Sequence, residues 1–150
     1  MYPPVIFSER ARFTPLFEDA RSRARRGKVK SILNGRSRRL AGLKELIQGA
    51  AILSQHHLGI QTVCIHHIQG TESRNTDFDN DFNPLTSDNR DRWIDIASAR
   101  LQDEGLPAID LIKVGNTYYV RDGHHRISVA RAMGADYIDA NVTVLDITRN

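Results

Sequence analysis

The run Asp122-Gly123-His124-His125-Arg126 sets a glycine, two imidazoles and a guanidinium between a β-rich stretch, Thr117 to Arg121, and an alanine-containing stretch closed by Gly134. This pattern predicts a strand, a tight turn and a helix over residues 124–133. The first N–H groups of a helix have no partner within it and lie at its positive dipole end, so such a turn suits an oxyanion, most simply a phosphate. Gly123 leaves room for an oxygen to approach. His124, His125 and Arg126 add donors, and Asp122 can orient a side chain or a metal-bound water. Arg74 is a further phosphate contact or else the salt-bridge partner of a nearby aspartate.

A second stretch with chemical content is Asp77-Phe78-Asp79-Asn80-Asp81-Phe82. Asp77, Asp79, Asp81 and Asp88 fall at positions 1, 3, 5 and 12 of a calcium loop, yet Phe82 stands where the sharp turn calls for glycine, which argues against an EF-hand. Two readings remain. In one, Asp77 and Asp79 hold Mg²⁺ against nucleotide phosphates, or Asp77, Asp79 or Asp122 acts as a general base toward a hydroxyl. In the other, Phe78 and Phe82 pin the loop to the core while the aspartates face water or cap helices. The six histidines come as three adjacent pairs. Neighbours diverge on either a strand or a helix and rarely chelate one ion, so His56, His57, His66 and His67 are read as structural or surface residues.

The elements that must position these groups follow from periodicity and punctuation. Thr14-Pro15 reads as a cap and first turn, giving a basic helix over 15–26 stopped by Gly27, with a short second stretch from Lys28 to Leu33. Leu40, Leu43, Leu46, Ile47, Ala50 and Leu53 recur at helical spacing and predict a helix ending near His57, although Gly42 and Gly49 weaken it. Ile60 to Ile68 predicts a strand, Gly70 to Thr86 a long loop, and Ser87 or Asp88 the cap of a helix that buries Trp93, Ile96, Ala97 and Leu101. Ile109 to Lys113 begins a strand, Gly115-Asn116 turns it into the next, and alternation from Ile138 to Val144 predicts a last, half-buried strand.

These elements describe an α+β fold: a small mixed sheet with packed helices, preceded by a basic helical N-terminal extension over 1–58, the body occupying 59–150. With 150 residues, 40% hydrophobic, the chain can bury one core. It has no long apolar span, and Met1-Tyr2-Pro3-Pro4 is unlike a signal peptide, so a soluble, cytoplasmic protein without a membrane partner is expected. The single Cys64, in an apolar run, excludes a disulfide framework and is read as a buried, inert thiol. The net charge of +3 hides an asymmetry, +8 over residues 1–50 and −5 over 51–150. Arg21, Arg23, Arg25, Arg26, Lys28, Lys30, Arg36, Arg38 and Arg39 thus form an arm suited to the phosphate backbone of DNA or RNA, without sequence specificity. A solvated helix face, or docking of the arm on the acidic body of a second copy to give a homodimer, is the alternative.

The segment Ile109 to Val144 resembles the ParB/sulfiredoxin fold, whose members share a strand, a turn of the form Gly-x-[His/Arg]-Arg and a helix that hold a nucleotide's phosphates. Here the turn is Gly123-His124-His125-Arg126, and the resemblance extends over about residues 60–145. It implies a nucleoside di- or triphosphate ligand (CTP, ATP or ADP), with Mg²⁺ as an accompanying ion. Asp-Gly-His-His-Arg is similar to the form in free serine kinases of this fold, whereas partition proteins carry Gly-Glu-Arg-Arg. Sulfiredoxins place a cysteine immediately after the turn glycine. His124 stands there in this chain, and an imidazole cannot form a thiosulfinate, so sulfiredoxin chemistry is not expected. The helix-turn-helix and dimerisation regions of partition proteins are not within these 150 residues, and a full segregation clamp is not expected. The resemblance implies a nucleotide-binding module associated with nucleic acid. Its alternatives are a nucleotide hydrolase or kinase acting on a small hydroxylated metabolite, and a ParB-like nuclease. Under this reading Arg126→Ala abolishes nucleotide binding at little cost in stability.

Overall fold

A computed structural model describes the chain from Val5 to Thr148, with side chains from Arg10 onward. Met1-Tyr2-Pro3-Pro4, Arg149 and Asn150 lie outside the described residues. The chain forms α1 (Val5–Asn34), β1 (Ala41–Gly42), α2 (Leu43–Leu46), β2 (Ile52–Cys64), a 3₁₀ turn (Ile65–His67) and β3 (Ile68–Thr71). After a long loop come α3 (Arg90–Leu101), β4 (Ile109–Val114), β5 (Thr117–Asp122), α4 (His124–Ala132) and β6 (Tyr137–Ile147). The fold is α+β, with one mixed six-stranded sheet in the order β1-β3-β5-β4-β6-β2. β1, β3 and β5 run parallel, β5 and β4 form the antiparallel hairpin, β4 and β6 are parallel, and β2 returns antiparallel to β6 at the edge.

α4 lies between this sheet and the helix pair α1–α3. Ile127 and Ala130 join Val63, Ile68, Ile109, Leu111, Val120, Ala140 and Val142 in the main core, while Val129 joins Phe13, Phe17, Trp93, Ile94 and Ala97 on the other side. A third cluster, Leu43, Ile112, Tyr119 and Leu145, covers part of the opposite sheet face. Trp93 is 1% exposed, meets Phe17 edge to face at 5.4 Å and donates its indole N–H to Ser128 Oγ at 2.9 Å. The stripe on α3 is therefore Trp93, Ile94 and Ala97. Ile96 is partly buried against the same cluster, whereas Leu101, expected inside, is exposed.

Several local signals are overruled by packing. α1 does not begin at Thr14-Pro15 or stop at Gly27: Pro15 is interior, and the expected short stretch at Lys28 to Leu33 is the end of the same helix. A proline inside a helix forfeits one backbone bond and crowds the preceding turn. The stripe Phe13, Phe17, Ala20, Ala24, spaced by four, three and four, is buried and outweighs that loss. It continues to Gly27, where a Cβ would collide with the Arg38 guanidinium. Between Leu40 and Leu53 the expected helix shrinks to four residues of α2. Ile52 onward is strand instead, because Gly49 takes a left-handed φ of +81° and β6 offers β2 a partner along its whole length. The anticipated strand over 60–68 is correspondingly split into β2, the 3₁₀ turn and β3, and the boundary at 58/59 falls inside β2. Asn89, rather than Ser87 or Asp88, flanks the start of α3. Cys64 is half-buried at the end of β2, not enclosed.

None of the described helices is long and apolar enough to cross a membrane.

Candidate functional site

The hairpin brings β5 to Asp122 and delivers Gly123 as the N-cap of α4, with φ +117°. Only glycine adopts this backbone cheaply, and a Cβ here would collide with the Ile109 side chain behind it. Gly123 O accepts the first helical bond, from Ile127 N at 3.0 Å. The N–H groups of His124, His125 and Arg126 then open the helix without intrahelical partners. β3, parallel to β5, brings Thr71 beside them, and the loop after β3 folds Phe78 over both imidazoles.

His124 is held on three sides. Its ring lies parallel to Phe78 at 6.4 Å and is tilted against Phe82 at 6.5 Å, while Nε2 lies 2.9 Å from Thr71 Oγ1. Thr71 has one hydroxyl proton, which goes to Ser73 O at 2.7 Å, so His124 Nε2–H donates to the hydroxyl and Nδ1 is the bare nitrogen. Burial lowers the pKa of His124 to about 4, aided by His125 and opposed by Asp122 and Asp77. The ring is neutral at pH 7 and a weak base. His125 packs edge-on to Phe78 at 5.0 Å. Its pKa is lowered too, first by burial and then by the nearby Arg92 charge, with Asp77 opposing, and its Nε2 is buried without a hydrogen-bond partner. The imidazoles therefore act at this turn as neutral donors or acceptors, not as the charges that the sequence suggests.

This depression makes stability depend on pH. Because the folded pKa of His124 lies below its unfolded value, the unfolded chain binds more protons between pH 6.5 and about 4. Stability is full above pH 6.5, falls through that window as pH drops and levels below it, by on the order of 3 kcal/mol for a shift of this size. Urea unfolding from pH 7 to 4 measures this, and His124→Asn should flatten the slope.

Arg126 departs from its expected role. Its Nη1 donates to Pro107 O at 2.5 Å and Ala108 O at 3.1 Å, its Nη2 pairs with Asp122 at 3.1 Å, and its side chain is 15% exposed. A guanidinium in the first turn of α4 reaches the loop before β4 and bonds two of its carbonyls. It ties that loop to the turn instead of projecting at the anion position. Arg126→Ala is accordingly expected to lower stability by about 1–3 kcal/mol, because the carbonyls lose their donors. Thermal melting of the variant measures that cost, and nucleotide titration well below the melting temperature separates it from any effect on binding.

The acidic loop divides in the same way. Asp79, 2% exposed, accepts from Asp81 N at 2.9 Å, from Asn83 N at 3.0 Å and from Arg38 at 3.2 Å. Arg38 also binds Asp81 at 2.9 Å, and Arg131 approaches Asp81 at 3.7 Å. Asp79 and Asp81 are thus structural, and Asp79 is not free to hold Mg²⁺ or to act as a base. Phe82 occupies the sharp turn with φ +60°, the conformation expected only of glycine, at a cost on the order of 1–3 kcal/mol that its complete burial offsets. The phenylalanine itself does not disqualify a calcium loop; the engagement of Asp79 and Asp81 with Arg38 does. Asp77 is different. Its carboxylate acts on both imidazoles and has no hydrogen-bond or ion-pair partner among the described residues. Among the described residues no group of three or more His, Cys, Asp or Glu is placed to hold a metal ion.

Arg74 is exposed and unpaired among the described residues, and so is Arg92, which the sequence reading missed. No motif marks Arg92; only the fold brings the first turn of α3 to His125. The basic arm is split: Arg21 bonds the carbonyls of Pro84 and Leu85, Arg23 bonds Asn83, and Arg38 serves the acidic loop. Arg25, Arg26, Lys28, Lys30, Arg36 and Arg39 stay exposed. Of the other histidines, His57 bonds Thr143 Oγ1 at 3.0 Å and His56 approaches Asp146 at 3.3 Å, both on the β2–β6 ribbon and away from the turn.

Comparisons of the chain with protein-family models, with curated proteins and with solved structures gave no match.

Proposed function

We propose that the turn at the start of α4 binds the phosphates of a nucleotide, as in the ParB/sulfiredoxin fold that this segment resembles, and that the protein is a nucleotide-binding module. The observation that carries this reading is the left-handed Gly123, which opens α4 with three unpaired N–H groups beside a buried, partnerless His125 Nε2. An oxyanion there would satisfy donors that otherwise have only water. Arg92, whose charge acts on His125, supplies the positive charge that Arg126, committed to Asp122 and two carbonyls, does not, and the exposed Arg74 is free to add to it. A nucleoside di- or triphosphate, CTP, ATP or ADP, fits this donor set. Mg²⁺ would find Asp77 as its available carboxylate, and the exposed cations of α1 favour nucleic acid as a further partner.

A second reading is favoured by Asp77 alone. A free carboxylate beside the turn is the group a kinase for a small hydroxylated metabolite would use as general base, a task for which His124 is too weakly basic. Nuclease action has no comparable support, since Asp79 and Asp81 are engaged elsewhere.

Calorimetric titration of CTP, ATP, ADP and GTP, with and without Mg²⁺, tests the binding reading. One of them should bind one to one, and silence from all four would end it. If nucleotide is bound but not consumed with any hydroxylated amino acid or sugar, the kinase reading is lost and the binding module stands.

A further inference from the structure

α1 crosses α3 near its start: Arg10 pairs with Asp91 and Asp95, Glu18 with Arg90, and Phe17 packs on Trp93. Farther along α1, Arg21 and Arg23 bond the loop before α3, and Lys28 and Ser31 lie beside Asn75, Thr76 and Phe78. The C-terminal end of α1 carries an apolar ridge, Val29, Ile32 and Leu33, exposed at 59%, 73% and 82%. Cations border it at Arg25, Arg26, Lys28, Lys30 and Arg36, and no Asp or Glu occurs between Ala20 and Lys44. Helix residues at i, i+3 and i+4 form one ridge, and none of the described residues covers this one.

The C-terminal end of α3 has a complementary feature. A groove of about 530 Å³ opens where α3 ends, walled by Ile60, Leu106, Pro107 and Ile138 and bordered by Asp103, Glu104 and Asp139. Arg100 and Arg126 also line it, but Arg126 is already neutralised by Asp122, so acid prevails at the rim. Such a lining suits apolar side chains presented by a basic helix. Ridge and groove share no residue, and Ile32 and Leu33 stand exposed instead of filling the groove of their own chain.

We infer that the C-terminal end of α1 from one copy inserts Ile32 and Leu33 into the acidic-rimmed groove of a second copy, giving a head-to-tail assembly. Such a contact uses two different surfaces, so it repeats into a ring or filament instead of ending at a two-fold dimer. Charge complementarity makes it weaken as salt rises.

Light scattering and sedimentation against protein and salt concentration test this, together with two variants altered at exposed positions. One carries Ile32→Glu and Leu33→Glu, the other Glu104→Lys and Asp139→Lys. The wild-type chain should grow beyond dimer with concentration and fall apart at high salt, and each variant alone should be monomeric with unchanged melting. Mixed in equal amounts, the variants should form a dimer and stop there, because each retains one intact surface. A wild-type chain that stays monomeric, or one that shifts only when duplex DNA is added, would overturn the proposal. So would a two-fold dimer indifferent to both variants, or a mixture that remains monomeric.

Discussion

Replacing Trp93 with alanine is expected to destabilise the fold by about 3–5 kcal/mol, the range for removing a large buried aromatic side chain. Trp93 fills the junction of α1, α3 and α4, where it meets Phe17 and donates to Ser128 Oγ. Its loss leaves a cavity between three helices and removes the partner of a buried hydroxyl, two penalties that add. Trp93 is the chain's only tryptophan, so denaturant unfolding of the variant must be followed by circular dichroism. A loss under about 1 kcal/mol would mean that α1 packs less firmly than its buried stripe indicates.

Gly123→Ala should weaken nucleotide binding more than tenfold, at least about 1.4 kcal/mol. An alanine at φ +117° is strained by about 1–3 kcal/mol. Its Cβ must also displace Ile109, which moves the first turn of α4 away from the place where its N–H groups converge. Gly134→Ala is the matched control. It also has a positive φ, +82°, but open space where the Cβ would go, and it lies at the far end of α4. Strain without displacement should lower stability and leave affinity alone. Equal losses of affinity in the two variants would show that the turn is sensitive to stability only and holds no ligand.

The stretch from Ile109 to Val144 was legible because its signals are local: a glycine-containing hairpin, a glycine before the helix and another after it, then period-two alternation. The N-terminal third was not, because the deciding contacts are distant. Pro15 and Gly27 look like helix punctuation until Phe13 and Phe17 are seen buried against α3 and α4, with Ala20 and Ala24 buried farther along the same stripe. Leu40 to Leu53 keeps helical spacing yet yields to β6, a strand that β2 meets only across the whole chain. At the site, Gly123 at the start of α4 followed from the residue types. The diversion of Arg126 to Pro107 and Ala108, and of Asp79 to Arg38, did not. A charged side chain's partner is set by tertiary proximity, which spacing along the chain does not encode.

The hydrogen bond from His124 to Thr71 joins positions 53 residues apart, and β2 cannot pair until β6, the last strand, has been made. Contacts that close such long loops form late, since the chain entropy they cost is recovered only when the sheet is nearly whole. On the proposed reading, affinity for an anion is thereby tied to the β3–β5 pairing that brings Thr71 to His124. A ribosome-bound chain that has emerged only through α4 would already hold β3, β5 and β4 around the glycine turn, while β2 would still wait at the edge for β6.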